Sequence, residues 1–308
     1  MKSEKLAGLV AATYTPISDA GHIRVDQVSP MVEHLLGSGV TGLYVCGSTG
    51  EGMSLTSQER RSVAEAYIEA AAERVPVIVQ VGHNSLAEAR QLAEHAATAG
   101  ATAISATCPS YFKITTVEGL IESMSFLAGG APELPFYYYH IPVLTGSSLD
   151  MVEFLKNARN HIPNLVGLKF TEPTLHEFQR CLELDEGRLD IVWGTDEMLL
   201  GALATGATAA IGSTYNIAAP LYVAMMAAFK NGNLVEARRL QSLAVEMIKA
   251  IARYPFHPAM KQVLKFQGFE FGQCRLPQTS LTAEQAKSLH EELREIGFFD
   301  WSLASLSS

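Results

Sequence analysis

The chain has no cysteine pair at metal-binding or redox spacing. Cys46, Cys108, Cys181 and Cys274 stand far apart, with no CxxC and no Cys/His cluster, which argues against a zinc site and a disulfide framework. Free thiols suit a reducing compartment, so a cytoplasmic location is expected. Runs of lysine and arginine are missing too: 23 basic residues face 32 acidic ones, for a net charge of -9. That balance disfavours a nucleic-acid or anionic-membrane surface, and an anionic ligand must be held by local dipoles. Long apolar runs are also absent. The opening MKSEKLAGLVAATYTP is broken too early by Pro16 for a signal peptide or membrane span, so no targeting segment is expected.

What the chain does have is 48% hydrophobic and 18% charged residues over 308 positions, enough for a well-filled core and for one large barrel with an annex. Short apolar runs alternate with helical stripes. Gly8 to Ala12 reads as a first strand, Asp26 to Leu36 as a helix, Gly42 to Cys46 as a second strand, and Pro76 to Val81 as a third. Gly39, Gly100 and Gly206 each precede a small or β-branched run, as expected where a helix ends in a left-handed glycine and a strand begins. The alternation continues through Ala103 to Thr107, Phe136 to Tyr139, Leu165 to Phe170, Asp190 to Trp193 and Ala209 to Gly212. The fold expected is α/β, a (β/α)8 TIM barrel with a C-terminal helical annex. An open doubly wound sheet would want a glycine-rich loop after the first strand, where the chain has Ala12-Thr13-Tyr14-Thr15-Pro16. Strand signals stop after Asn216. The expected division is residues 1–220 for the barrel and 221–308 for helices, with Leu221 to Lys230 the first and with Pro220 and Pro258 at N1 positions.

Lys169 interrupts an apolar strand, where a charged amine is expensive to desolvate. Strand alternation sets Val166, Leu168 and Phe170 on one face and Gly167 and Lys169 on the other. If the bulkier set packs on the helices, Lys169 points into the barrel mouth, where burial favours the neutral amine that attacks a carbonyl. A lysine snorkelling from a strand end is the bland alternative. Tyr139, one strand–helix repeat earlier, ends its strand before Pro142 and can move a proton if held in a dry site; it is also one of three consecutive tyrosines, common in strands. Gly47-Ser48-Thr49-Gly50-Glu51 offers hydroxyls and backbone N–H groups for a carboxylate, or forms a plain turn with a helix cap. Gly194-Thr195-Asp196-Glu197 and Gly212-Ser213-Thr214-Tyr215-Asn216 follow later strands and add polar groups to the same rim. His83 and His140 are expected on loops of that rim in structural roles, without the partners a metal needs.

These residues resemble a known family, the pyruvate-dependent Schiff-base aldolases of dihydrodipicolinate synthase and N-acetylneuraminate lyase type. The likeness spans nearly the whole chain and rests on GSTGE (Gly47 to Glu51), YHIP (Tyr139 to Pro142), GLKF (Gly167 to Phe170), GTDE (Gly194 to Glu197) and GSTYN (Gly212 to Asn216). The resemblance implies that Lys169 forms an imine with a 2-keto carbon, that Ser48 and Thr49 hold the pyruvyl carboxylate, and that Tyr139 shuttles protons with Thr49 beside it. It implies that Thr171, Gly194, Asp196, Glu197 and Ser213 bind a polyhydroxy chain, that Tyr111 lies near the catalytic tyrosine of a neighbouring subunit, and that the chain forms a homotetramer. No metal or organic cofactor is expected, because the iminium is itself the electron sink.

Within the family, the synthases carry an arginine for the carboxylate of aspartate semialdehyde where this chain has Leu144. Losing that charge-assisted bond costs on the order of 1–3 kcal/mol. Asp196 and Glu197 instead suit a polyol, so reversible cleavage of N-acetylneuraminate to N-acetylmannosamine and pyruvate is the expected reaction. Two positions depart from the pattern. His140 stands where asparagine is frequent, and Glu172-Pro173 replaces small polar residues after Thr171. The alternatives are another aldolase of the family acting on a 2-keto-3-deoxy sugar acid or aspartate semialdehyde, a non-catalytic binder of keto or sugar acids, and a metal-dependent aldolase.

Overall fold

Aliphatic and aromatic runs bounded by glycine or proline become eight short strands: β1 (Gly8–Ala12), β2 (Gly42–Val45), β3 (Val77–Gln80), β4 (Ala103–Ala106), β5 (Phe136–His140), β6 (Leu165–Phe170), β7 (Asp190–Trp193) and β8 (Ala209–Gly212). In the computed structural model, which describes residues 5–303, each strand pairs in parallel with the next and β8 returns to β1, closing a (β/α)8 barrel. Helices between the strands are capped by their own sequence. Thr56 and Glu59 form a reciprocal capping box before Ser57–Ala71, while Ser85, Thr116 and Asp150 cap the helices Leu86–Ala99, Val117–Ala128 and Met151–Ala158. Gly39, Gly100 and Gly206 all have left-handed backbone, as the repeated pattern predicts.

Strand pleating divides the core into two layers. Val10, Tyr44, Ile78, Tyr137, Tyr139, Val192 and Ile211 fill the barrel, and a larger apolar layer lies between the strands and the helices. In β6, Leu168 and Phe170 join the outer layer, which turns Lys169 inward as expected. Val166 does not follow them. It packs against the inner cluster, because the register with β5 shifts between Phe136 and Tyr137 and one residue is gained at that point.

The helix after β8 begins at Tyr215, not at Leu221, and runs to Lys230. Ala218 breaks it with φ -149° and ψ 30°, so Pro220 falls in the first turn of the part that continues, where a missing N–H costs nothing. Pro258 is the third residue of Phe256–Phe266, not the first as expected, because the helix starts at Phe256; it still falls in the first turn. Helices Leu234–Ile251, Ala283–Glu295 and Phe298–Trp301 make up the rest of the annex. Among the described residues, no helix is long and apolar enough to cross a membrane.

Candidate active site

Tyr139 and Lys169 are direct register partners across β5 and β6, which puts both on the same inward face. Lys169 is 4% exposed, and its Nζ lies 4.0 Å from the Tyr139 ring centre and 4.2 Å from that of Tyr44. The amine thus rests between two negative ring faces. Tyr44 meets Tyr139 edge to face at 5.7 Å and donates its hydroxyl to Ser105 Oγ at 3.0 Å. Burial pushes the Tyr44 phenol well above its ordinary range, with Tyr139 adding to the effect, so Tyr44 stays a neutral wall. Its inward position was legible in the alternation of Gly-Leu-Tyr-Val, but only the closed barrel brings it to Lys169.

A cavity of about 200 Å³ opens above this pair at the C-terminal ends of the strands. Ser48, Thr49, Tyr139, Lys169, Thr171, Gly194, Asp196, Glu197 and Ser213 all line it, so every cavity residue expected from the sequence is gathered there except Tyr111. Tyr111 follows β4 and is 79% exposed, edge to face with Phe112. It does not reach Tyr139 within the same chain. Thr49 is buried, and the backbone N–H groups of Ser48 and Thr49 donate to no backbone acceptor among the described residues. No direct hydrogen bond joins Thr49 to Tyr139 among the described residues; such bonds often tighten only around a bound substrate.

Asp196 is held rigidly on the opposite wall. Its Oδ2 accepts from the Thr214 N–H at 3.0 Å and from Thr214 Oγ1 at 2.6 Å, while Oδ1 is buried without a partner among the described residues. Burial pushes the Asp196 carboxyl up to about 6, with a smaller contribution from Glu197 and opposition from the Thr214 bonds. The carboxylate lies over Gly212 so closely that a Cβ there would fall 1.8 Å from Oδ1. A Cβ at Gly194 would fall 2.0 Å from Thr171 Oγ1, another buried atom without a partner among the described residues. Both glycines are therefore required by the polar groups they carry.

His140 is the last residue of β5, not part of a loop, and the pleat that turns Tyr139 inward turns His140 outward beside Tyr138 and Phe170. Its Nε2 lies 3.0 Å from Glu172 Oε2. Burial lowers the imidazole pKa against the raising effect of Glu172. The two departures from the family pattern are thus one contact. It spans the Thr171 backbone, whose N–H donates to the His140 carbonyl at 2.9 Å.

Ile248, Phe256 and His257, from helices about two hundred residues after the Ser48–Thr49 loop, line the cavity too, as does Leu144 from the short helix Pro142–Thr145 that follows β5. Nothing in the periodicity of those helices marks the three residues. His257 Nδ1 is 3.5 Å from the Tyr14 hydroxyl, and burial keeps its pKa low. Among the described residues, no group of three or more His, Cys, Asp or Glu side chains is gathered as a metal site.

The profile of the Dihydrodipicolinate synthetase family matches residues 5–296. The chain is 41% identical over 278 residues to an N-acetylneuraminate lyase of Xenopus tropicalis, covering 89% of this chain and 91% of that one. Among solved structures it is similar to the Proteus mirabilis N-acetylneuraminate lyase, with a TM-score of 0.93 and 38% identity over 96% of this chain and 100% of the other. It is similar also to the N-acetylneuraminate lyase (sialic acid aldolase) of Aliivibrio salmonicida, with a TM-score of 0.93, 38% identity, and coverage of 96% and 98%.

Proposed function

The chain belongs to the dihydrodipicolinate synthetase family, and on that premise we propose that it is a Schiff-base lyase that reversibly cleaves N-acetylneuraminate to N-acetylmannosamine and pyruvate through Lys169. The observation that carries this reading is the Lys169 amine, buried in the barrel lining 4.0 Å from the Tyr139 ring centre and lining a cavity of about 200 Å³.

The Lys169 amine adds to the 2-keto carbon of the open-chain sugar acid, and water leaves to give an iminium. Ser48 and Thr49 hold the substrate carboxylate with hydroxyls and N–H groups. Tyr139, with Thr49 in the same cavity lining, takes the proton of the hydroxyl beside the bond to be broken. The carbon–carbon bond then breaks, its electron pair flowing into the iminium to leave an enamine and free N-acetylmannosamine. Protonation of the enamine carbon and addition of water release pyruvate and return the amine. Thr171, Gly194, Asp196, Glu197 and Ser213 receive the polyol, in keeping with the buried unpartnered oxygens of Asp196 and Thr171.

The catalytic unit in this reading is residues 1–220, and residues 221–308 supply the far wall. The reading includes a cytoplasmic homotetramer in which Tyr111 of a neighbouring subunit approaches Tyr139. Exposed Tyr111 and Phe112 after β4, and exposed Val143 in the short helix Pro142–Thr145, support such an apolar contact.

The testing experiment is pyruvate release from N-acetylneuraminate, run beside 2-keto-3-deoxygluconate, with light scattering on the same preparation to measure assembly. Preference for the deoxy sugar acid would favour another aldolase of the family, since Leu144 excludes only the aspartate semialdehyde reaction.

Ionised Asp196 accepts hydrogen bonds that its protonated form cannot. The kcat/KM for N-acetylneuraminate is therefore expected to rise with pH through an inflection at about 6, and Asp196→Asn to remove that inflection. The raised pKa also has a sign in stability: the folded state holds this proton more tightly than the unfolded chain. The contribution is full below the ordinary carboxyl pKa and is lost as pH rises from 3.8 to about 6.

A further inference from the structure

Glu51, the last residue of GSTGE, does not line the cavity and is 3% exposed. Its Oε1 lies 2.7 Å from Lys261 Nζ, with neither side chain more than 1% exposed. Its Oε2 accepts the Arg275 backbone N–H at 2.6 Å, and Lys261 Nζ also donates to the Gln273 carbonyl at 2.7 Å. A loop belonging to the barrel is thus tied by one buried carboxylate to a helix and a strap far later in the chain.

The loop needs such a tie. Cys46 and Glu51, which bracket Ser48 and Thr49, both adopt the left-handed region, with φ of 60° and 56°. Neither is glycine, and side-chain-bearing residues persist there only when their surroundings over-determine them. Thr15 Oγ1 donates to the Gly50 carbonyl at 2.7 Å, and a Cβ at Gly50 would fall 2.9 Å from the Thr13 carbonyl, so the loop is pressed from its barrel side as well. A buried ion pair contributes little net stability compared with apolar residues of the same shape. What it fixes well is geometry. The helix Phe256–Phe266 carries both ends of the arrangement: Lys261 reaches Glu51, and one turn earlier His257 faces the cavity.

We propose that the Glu51–Lys261 pair is a positioning latch, which holds the Ser48–Thr49 backbone from behind in the geometry that receives the carboxylate of a 2-keto acid. The latch rests on the imine reading above and extends it: Glu51 and Lys261 touch no substrate, and they set carboxylate affinity through the loop.

The test uses pyruvate as probe and borohydride to trap the imine, measuring the half-saturating pyruvate concentration, the limiting trapping rate and the melting temperature. Glu51→Gln leaves Lys261 buried without its counter-charge and is expected to melt earlier. The double variant Glu51→Gln, Lys261→Met removes both charges and is expected to recover most of that loss. Both are expected to need about tenfold more pyruvate for half-saturation, a change of about 1.4 kcal/mol, with the limiting rate within about twofold of wild type. Glu51→Asp, which keeps the charge but shortens its reach, is expected to shift half-saturation in the same direction. Wild-type half-saturation in the folded double variant or in Glu51→Asp, or a loss confined to the limiting rate, would overturn the latch. A wild-type enzyme that is never trapped overturns the imine reading and the latch with it.

Discussion

Lys169→Ala is expected to give a folded protein that borohydride and pyruvate no longer label, and whose turnover of N-acetylneuraminate falls by on the order of 10⁴-fold or more. The expectation follows from the environment of the amine. Lys169 is 4% exposed and faces the rings of Tyr44 and Tyr139, and among the described residues no other lysine lines the cavity. Lys169→Arg should fail equally, because a guanidinium stays protonated and cannot add to a carbonyl. Stability should change little: the variant loses cation–ring contacts of about 0.5–2 kcal/mol but no longer desolvates an amine. Intact mass after trapping is the deciding measurement. An adduct of one reduced pyruvyl group on the alanine variant, or an unlabelled wild type, would exclude Lys169 as the imine-forming residue.

Tyr139→Phe is expected to separate the two halves of the chemistry. The ring survives, with its edge-to-face contact on Tyr44 and its face toward Lys169, so the floor of the cavity is preserved. Only the hydroxyl is lost. Proton transfer by a positioned side chain contributes about 10²–10⁴-fold, so kcat should fall by that factor. Imine formation with pyruvate draws on the Lys169 amine, and trapping should persist at a readily measured rate. If trapping and turnover vanish together, Tyr139 acts by building the pocket and another group moves the proton.

Much of this molecule can be read along the chain. Gly39, Gly100 and Gly206 mark helix ends because a left-handed residue tolerates glycine best, and that requirement is local. Lys169 is conspicuous because strand β6 is otherwise apolar, and one register step places it beside Tyr139. Local patterns mislead where the chain leaves its period. Alternation alone puts Val166 on the face of Leu168 and Phe170, but the register shift against Phe136 and Tyr137 turns it inward. The helix at Tyr215 starts earlier than its apolar stripe suggests, since its first residues are bound into the end of the barrel: Asn216 Nδ2 donates to the Ala12 carbonyl at 2.7 Å.

The residues that depart from the family pattern are the most instructive. His140 and Glu172 each depart from the expected residue type, and singly neither has a reason. Across the β5–β6 junction they are 3.0 Å apart and account for one another.

By itself, the sequence determined the alternation of strands and helices, the glycines that end the helices, and the rim on which Lys169, Tyr139 and the polar loops gather. All of these depend on residues close in the chain, or on a repeat that carries its own period. Tertiary structure alone decided that Tyr44 would wall the amine, that Ile248, Phe256 and His257 would close the cavity, and that Lys261 would stand behind Glu51. Those contacts join segments with no shared periodicity. They exist because closing the barrel and docking the late helices bury both partners at once, and no local pattern of apolar and polar residues encodes which two will meet.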